Sequence, residues 1–395
     1  MSDSIPRQPP LVVHLLYRFD IGGLETVLMR LLHRIPADRC RHAIIALTEA
    51  SDFSKRLRRD DVEIYALHKK PGQDPMVWIR LWKLLRQLQP MVMHSYNLGT
   101  IEGVIPAALA GVPIRIHAEH GRDFPDLHGT SRKYKWLRRM LSPLIDSFVP
   151  VSRELEVWLR IHVKIPADKI YRIVNGVDSE RFHPVEEEEV IFPECVEFAD
   201  PSCFVIGAVG RLTGVKDHAC LLQAFHRLGE MVPEMRPRLR LVLVGDGPLR
   251  AALINQAKNL KIADRLWMAG SRDDVTELMR GMHLFVLSSL AEGTALTLLE
   301  AMATGLPSVV TKVGDNTALV LENETGLTTP PGDVQALATA MATYLRNPSL
   351  AKQHGEAARH RAVEKFNLDA MVKRYLELYR TTALKKGLME VGEGF

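Results

Sequence analysis

The run Phe204-Val205-Ile206-Gly207-Ala208-Val209-Gly210 is short, wholly apolar and closed by glycine, and it reads as a strand. A loop from Arg211 to Asp217 follows, and then Cys220, Leu221, Ala224, Phe225 and Leu228 recur at helical spacing. The same opening stands near the start of the chain. Leu11-Val12-Val13-His14-Leu15-Leu16 leads through Ile21-Gly22-Gly23-Leu24-Glu25 into a helical pattern at Val27, Leu28, Leu31 and Leu32. Two strand–glycine loop–helix openings in one chain predict two doubly wound α/β domains in tandem. Later strands are expected at Leu241–Val244, Leu284–Leu287 and Ser308–Val310, each ending in a polar or glycine-bearing turn. In open α/β sheets ligands bind beyond the carboxyl ends of the strands, so those turns are where chemistry is sought.

Working outward, Phe182-His183-Pro184-Val185 and the acidic run Glu186–Glu189 mark a linker, with the boundary near residues 183–202. This gives a first domain over 1–190, a second over 200–365, and a C-terminal helix over 366–385 that crosses back to the first. The tail beyond Lys386 reads as disordered. The full length of 395 residues suits two such cores. Cys40, Cys195, Cys203 and Cys220 have neither metal-like nor redox-like spacing and suggest a reducing compartment. The N-terminus lacks the apolar core of a signal peptide, and no run of about 18 uncharged apolar residues occurs, so a cytoplasmic protein without a membrane span is expected. Residues 1–185 hold 28 Lys and Arg against 20 Asp and Glu, whereas residues 186–395 hold 23 against 27. A basic first half points to a phosphate-bearing or membrane-surface partner, or to a plain solvated surface. The stripe of Trp78, Leu81, Trp82, Leu84, Leu85 and Leu88, interleaved with Arg80, Lys83 and Arg86, fits packing on a sheet better than contact with lipid headgroups.

Four constellations carry chemistry. The first is Glu292-Gly293-Thr294-Ala295-Leu296-Thr297-Leu298-Leu299-Glu300, with Glu292 in a loop and Glu300 in a helix closed by Gly305 and Pro307. Amides at Thr294, Ala295 and Leu296 would cradle a diphosphate at the helix N-terminus. Eight helical steps span ~12 Å, too far for a glycosidase carboxylate pair at ~5–9.5 Å, so the glutamates suit two ends of one extended ligand. The second is Gly210-Arg211-Leu212-Thr213-Gly214-Val215-Lys216, whose Arg and Lys suit a phosphate clamp. Neither glycine loop matches the dinucleotide fingerprint, so a nicotinamide cofactor is poorly supported. The third is His117-Ala118-Glu119-His120-Gly121-Arg122-Asp123, in which a functional histidine beside phosphates outweighs a metal site. The fourth is Gly22-Gly23, which permits close backbone approach to a ligand or is a plain tight turn.

Together these segments resemble glycosyltransferase family 4, the retaining family with the GT-B fold. The matching runs include Asn175-Gly176-Val177-Asp178, Val244-Gly245-Asp246-Gly247-Pro248 and Ala301-Met302-Ala303-Thr304-Gly305-Leu306-Pro307 beside those above. The likeness extends from about residue 11 to 382. A narrower likeness, through His68–Pro75 and Glu119–Asp123, is to sugar transferases of bacterial exopolysaccharide and PEP-CTERM sorting loci. The resemblance implies two Rossmann-like domains facing across a cleft. It implies retaining, metal-independent transfer of a sugar from a UDP- or GDP-linked donor to a glycan or polyprenyl-linked acceptor, with no cofactor and no nucleic acid. By the same resemblance Arg211 and Lys216 bind the diphosphate, Glu300 the ribose and Glu292 the sugar. Gly293, Thr294, Ala295 and Leu296 line the donor, and Ser271 and Arg272 meet the base. Gly22 and Gly23 close over the phosphates, and His120 lies near the reacting carbon. Peripheral contact with the inner membrane face through the basic domain also fits. Asp315 and Ala318 depart from the family's usual Gly-Gly and later Glu, and Ala295-Leu296 replace a small polar pair, which puts the transferred sugar in doubt. A non-hydrolysing UDP-sugar 2-epimerase of the same architecture, and a non-catalytic glycan- or nucleotide-binding protein, are the alternatives.

Overall fold

A computed structural model describes residues 8–121, 126, 129–185, 198, 200, 202–390 and 395. It divides into two compact units, one made of Met1–Asn175 with Leu368–Phe395, the other of Gly176–Asn367. In the first unit the elements run β1 (Leu11–Leu16), α1 (Gly23–Arg34), β2 (Arg41–Ala46), β3 (Glu63–Ala66), α2 (Met76–Leu88), β4 (Val92–Tyr96) and α3 (Val104–Leu109). They continue with β5 (Ile114–Glu119), α4 (Arg132–Leu141), β6 (Ser147–Pro150) and α5 (Arg153–Trp158). The second unit runs β7 (Phe204–Val209), α6 (His218–Met231), β8 (Leu239–Val244), α7 (Arg250–Asn259), β9 (Leu266–Gly270), α8 (Val275–Arg280) and β10 (Leu284–Leu287). It then adds α9 (Leu296–Ala303), β11 (Ser308–Thr311), α10 (Asn316–Leu319), β12 (Leu327–Thr329), α11 (Val334–Arg346) and α12 (Pro348–Lys365). The last helix, α13 (Leu368–Lys385), packs on α1 and β5 of the first unit.

Each unit is one parallel six-stranded sheet, ordered β3-β2-β1-β4-β5-β6 in the first and β12-β11-β10-β7-β8-β9 in the second. Both are the doubly wound arrangement, in which strand order reverses between the first and fourth strands. The apolar alternation of β7 explains its burial on both faces. Val205 and Val209 face α8 and α9, and Ile206 and Ala208 face α6 and α11. In the first unit Val13, Leu15, Ala43, Ile45 and Met93 pack under α2 and α3.

The sequence-based boundary near 183–202 falls largely on residues outside those described, including Glu186–Glu189. The structural division lies at Asn175/Gly176 because the next residues join the second unit. Val177 N donates to Phe366 O at 2.8 Å, Phe182 is buried in that core, and Pro184 lies against Gly305. Leu368 onward belongs to the first unit, where Asp369 pairs with Arg34 at 3.4 Å and Tyr379 with His94 at 2.9 Å. The expected disorder of the tail is corrected at its last residue. Phe395 is buried, 5.5 Å from the Tyr379 ring, and its carbonyl accepts from Arg39 Nε at 2.8 Å. An aromatic end docked among aromatics leaves no periodic trace in a glycine-rich tail. Residues 391–394 lie outside those described.

On α2 the buried face is Val77, Leu81 and Leu85, with Trp78 packed partly against it. Trp82 is exposed, so only one of the two tryptophans serves the core.

Candidate functional site

The switch point of the second sheet lies between β7 and β10, and the loops that leave these strands meet there. The loop after β7 is pinned by backbone bonds from Gly210 N to Val244 O and from Leu212 N to Asp246 O, each 2.9 Å. This approach requires Gly245, since a Cβ there would stand 2.1 Å from Gly210 O and its φ is +134°. Leu290 N donates to Val215 O at 2.7 Å, which ties the loop after β10 to the loop after β7.

That tie brings Lys216 and Glu292 together. Lys216 Nζ donates to Glu292 Oε1 at 2.6 Å, with side-chain exposures of 22% and 10%. Ser289 Oγ, wholly buried, donates to the same oxygen at 2.6 Å. Among the described residues Glu292 Oε2 takes no hydrogen bond, so one carboxylate oxygen is held and the other left over. Arg211 is exposed and makes no ion pair among the described residues.

Glu292 and Gly293 are half-buried, and Thr294, Ala295 and Leu296 are buried as the chain turns into α9. Ala295 caps that helix without a side-chain bond, so its first amides have no intrahelical acceptor. Glu300 sits one turn further in and is buried. The eight-step helical rise between the two glutamates is corrected, because the helix begins only at Leu296 and residues 292–295 form the turn. Ser271 and Arg272 follow β9, on the far side of β8 from the switch point. Ser271 is exposed. The Arg272 guanidinium is forked onto Asp274, at 2.8 and 2.5 Å, and lies 5.8 Å from the Trp267 ring.

Sequence reasoning missed the residues that hold this site in shape. Ser288 Oγ donates to the carbonyls of Lys216 and Asp217 at 2.9 and 3.1 Å, and Thr311 Oγ1 donates to Ser289 O at 2.6 Å. Gly314, at φ +52°, lies so close that a Cβ would be 2.0 Å from Glu292 O. The available signal was two serines ending an otherwise apolar strand.

In the first unit Gly22 caps α1 and Gly23 opens it. Gly22 is extended at φ −166°, a conformation open to any residue, and its carbonyl accepts from Thr26 N at 3.0 Å. His120 follows β5. Its amide donates to Asn97 Oδ1 at 2.8 Å, and its ring lies 5.6 Å from that of Tyr96. Its Nε2 is buried with no partner among the described residues. Burial pushes the His120 imidazole down to about 3 against the weaker pull of Glu119, so it is neutral at pH 7. Glu119 is buried in a fork with Arg138, at 2.5 and 3.1 Å, and takes His117 Nε2 at 3.3 Å. Burial works to raise its carboxyl, but Arg138 and His117 outweigh it and hold it at about 2. Arg122 and Asp123 lie outside the described residues. Among those described, no group of three or more His, Cys, Asp or Glu could hold a metal ion, and no helix is long and apolar enough to cross a membrane.

Comparison with known proteins returns two family models. The one described as Glycosyltransferase Family 4 matches residues 21–181, and the one described as Glycosyl transferases group 1 matches 198–361. Among curated relatives, the UDP-Gal:alpha-D-GlcNAc-diphosphoundecaprenol alpha-1,3-galactosyltransferase of Escherichia coli is 29% identical, over 78% of this chain and 80% of its own. The lipopolysaccharide core biosynthesis mannosyltransferase LpcC of Rhizobium leguminosarum is 30% identical, over 57% of this chain and 61% of its own. Among solved structures, Anabaena HepE in complex with UDP and glucose superposes with a TM-score of 0.81 at 18% identity, covering 94% of this chain and 99% of that one. At that identity the likeness speaks for the fold.

Proposed function

This chain is a family 4 glycosyltransferase of the GT-B fold, and we propose that it retains anomeric configuration and needs no metal. In this reading it moves a sugar from a nucleoside-diphosphate donor to a glycan or polyprenyl-linked acceptor of a cell-surface or extracellular polysaccharide. The observation that carries the reading is the Lys216–Glu292 pair at the switch point, with Arg211 beside it in sequence and the N-terminus of α9 next to Glu292. The bond from the sugar's anomeric carbon to the diphosphate breaks as the acceptor oxygen bonds that carbon from the same face. The acceptor's proton passes to the departing phosphate oxygen. Negative charge grows on the diphosphate, where Arg211, Lys216 and the helix amides stabilise it without a metal ion. Glu292, steadied through Oε1, offers Oε2 to a sugar hydroxyl, and Glu300 takes the ribose. The two relatives named above are transferases, one with a diphosphoundecaprenol-linked acceptor in its name, which favours transfer over epimerisation. Peripheral contact of the basic first unit with a lipid surface belongs to the same reading.

Calorimetry on two variants tests the division of labour. Glu300→Ala should weaken the free nucleoside diphosphate and the whole donor alike. Glu292→Ala should leave nucleoside-diphosphate affinity nearly intact and depress transfer. A lost charged hydrogen bond is worth ~1.5–3 kcal/mol, roughly ten- to a hundredfold in affinity. Equal weakening of the free nucleotide by both variants sinks the assignment. Transfer should also survive EDTA, and a loss restored by magnesium or manganese would overturn metal independence.

A further inference from the structure

Helix α4 reads Arg132-Lys133-Tyr134-Lys135-Trp136-Leu137-Arg138-Arg139-Met140-Leu141, with five cations and no carboxylate. Its inner face is complete. Arg138 and Leu141 are buried, Arg138 forks onto Glu119, and its guanidinium lies 4.9 Å from the Trp158 ring. That clamp fixes the helix to β5 without help from the outer face.

The outer face is unlike an ordinary solvated one. Arg132, Trp136 and Met140 stand at i, i+4 and i+8, on one line along the helix. Trp136 is 61% exposed and Met140 55%. Exposed Lys133 and Arg139 flank that line, and Arg139 Nε reaches Val163 O at 2.9 Å, which steadies it there. The neighbouring turn adds exposed Arg160, Ile161 and Lys164. An indole and a thioether ringed by cations, with no acid on the helix, match the interface of an anionic bilayer. Aromatic rings settle at the headgroup level there, and Lys and Arg meet acidic lipid.

We infer that α4 is a membrane-docking helix whose Trp136 and Met140 enter the headgroup–acyl boundary while Arg132, Lys133 and Arg139 lie over acidic headgroups. This locates the lipid contact proposed above and rests on that contact, not on the transfer reaction. It also moves the contact away from the Trp78/Trp82 stripe.

The test is sedimentation of the full chain with vesicles of phosphatidylcholine alone or with phosphatidylglycerol at about 30%, at low and high salt. Wild type should partition to the acidic vesicles and largely release from them in high salt. Arg132→Gln/Lys133→Gln/Arg139→Gln should lose on the order of a hundredfold in partitioning. Trp136→Ala/Met140→Ala should lose roughly tenfold, and Trp82→Ala should bind as wild type does. All four proteins should keep their far-ultraviolet spectrum and wild-type turnover of a water-soluble acceptor. A conservative arm covers any folding defect: brominated lipid should quench wild-type fluorescence more than that of Trp136→Phe. Wild-type partitioning by both α4 variants, loss in Trp82→Ala instead, or equal quenching in Trp136→Phe would each overturn the assignment. So would vesicle-independent self-association abolished by Trp136→Ala. If transfer fails but vesicle binding follows this pattern, only the reaction assignment is at fault.

Discussion

The two units share one strand order and fill it with different chemistry. In the second, both faces of the sheet are apolar, and the polar groups of the site stand on loops beyond the strand ends. In the first, one face is a buried polar layer within the strands. His14 Nδ1 meets Tyr96 Oη at 2.8 Å, His14 Nε2 meets His42 Nδ1 at 3.1 Å, and His94 Nδ1 meets Tyr379 Oη at 2.9 Å. Topology therefore decides where strand ends converge, while the inward side chains decide how the unit answers to pH. Burial drives His14 and His94 well down and His42 down to about 3, so these rings fold as neutral imidazoles.

The largest effect expected from this contrast is catalytic and confined to the second unit. Lys216→Ala and Arg211→Ala should each lower turnover by more than tenfold, and up to ~10²–10³ if each meets charge that develops on the leaving group. The fold should persist, because Arg211 is exposed and Lys216 half-buried. Wild-type kinetics in either folded variant would erase the distinction between a loop-borne site and a structural polar layer.

Acid should separate the units next. An unfolded histidine takes a proton below pH ~6.5, whereas His42 in the fold waits until about 3. Stability is thus full above 6.5 and falls as pH drops through that window, by ~1.4 kcal/mol per pH unit for each such group. The first unit has His14, His42, His94 and His120 moving this way. The second has His218, lowered to about 4, with exposed His283 and buried His354 lowered as well. Hydrogen exchange at pH 7.5 and 5 should show protection lost first in β1, β2 and β4. Parallel loss in β7, β8 and β10 would refute the contrast.

The smallest effect concerns Ser289. Removing its bond to Glu292 Oε1 in Ser289→Ala should cost ~1–1.5 kcal/mol of transition-state stabilisation, about tenfold in kcat, with nucleoside-diphosphate affinity unchanged. Rescue by Ser289→Thr would separate positioning from packing. Equal losses in kcat and nucleotide affinity would mean that Ser289 merely supports the loop.

Local pattern made much of this legible. Apolar runs at 11–16, 204–209 and 284–287 became strands because short segments buried on both faces carry few polar side chains. Gly305 closes α9 at φ +80°, as a helix ended by glycine requires. Arg211, Lys216 and Glu292 could be picked out because cations and carboxylates just past a strand end have few structural uses. Ser288, Ser289 and Thr311 could not, since a buried hydroxyl is informative only when its partner is known, and theirs lie 3 to 72 residues away. The histidine layer was hidden for a similar reason. His14, His42 and His94 sit on separate strands, and only the parallel pairing that sets His14 opposite His94 brings them together.

The sequence by itself determined the two-sheet architecture and the residue types offered at each strand end, because hydrophobic period and glycine placement are local properties. Tertiary structure alone decided that Lys216 reaches Glu292, that Trp82 and Trp136 face outward while Arg138 is buried, and that Phe395 docks beside Tyr379. Each of these outcomes depends on which distant surface covers a side chain, and no local spacing encodes that.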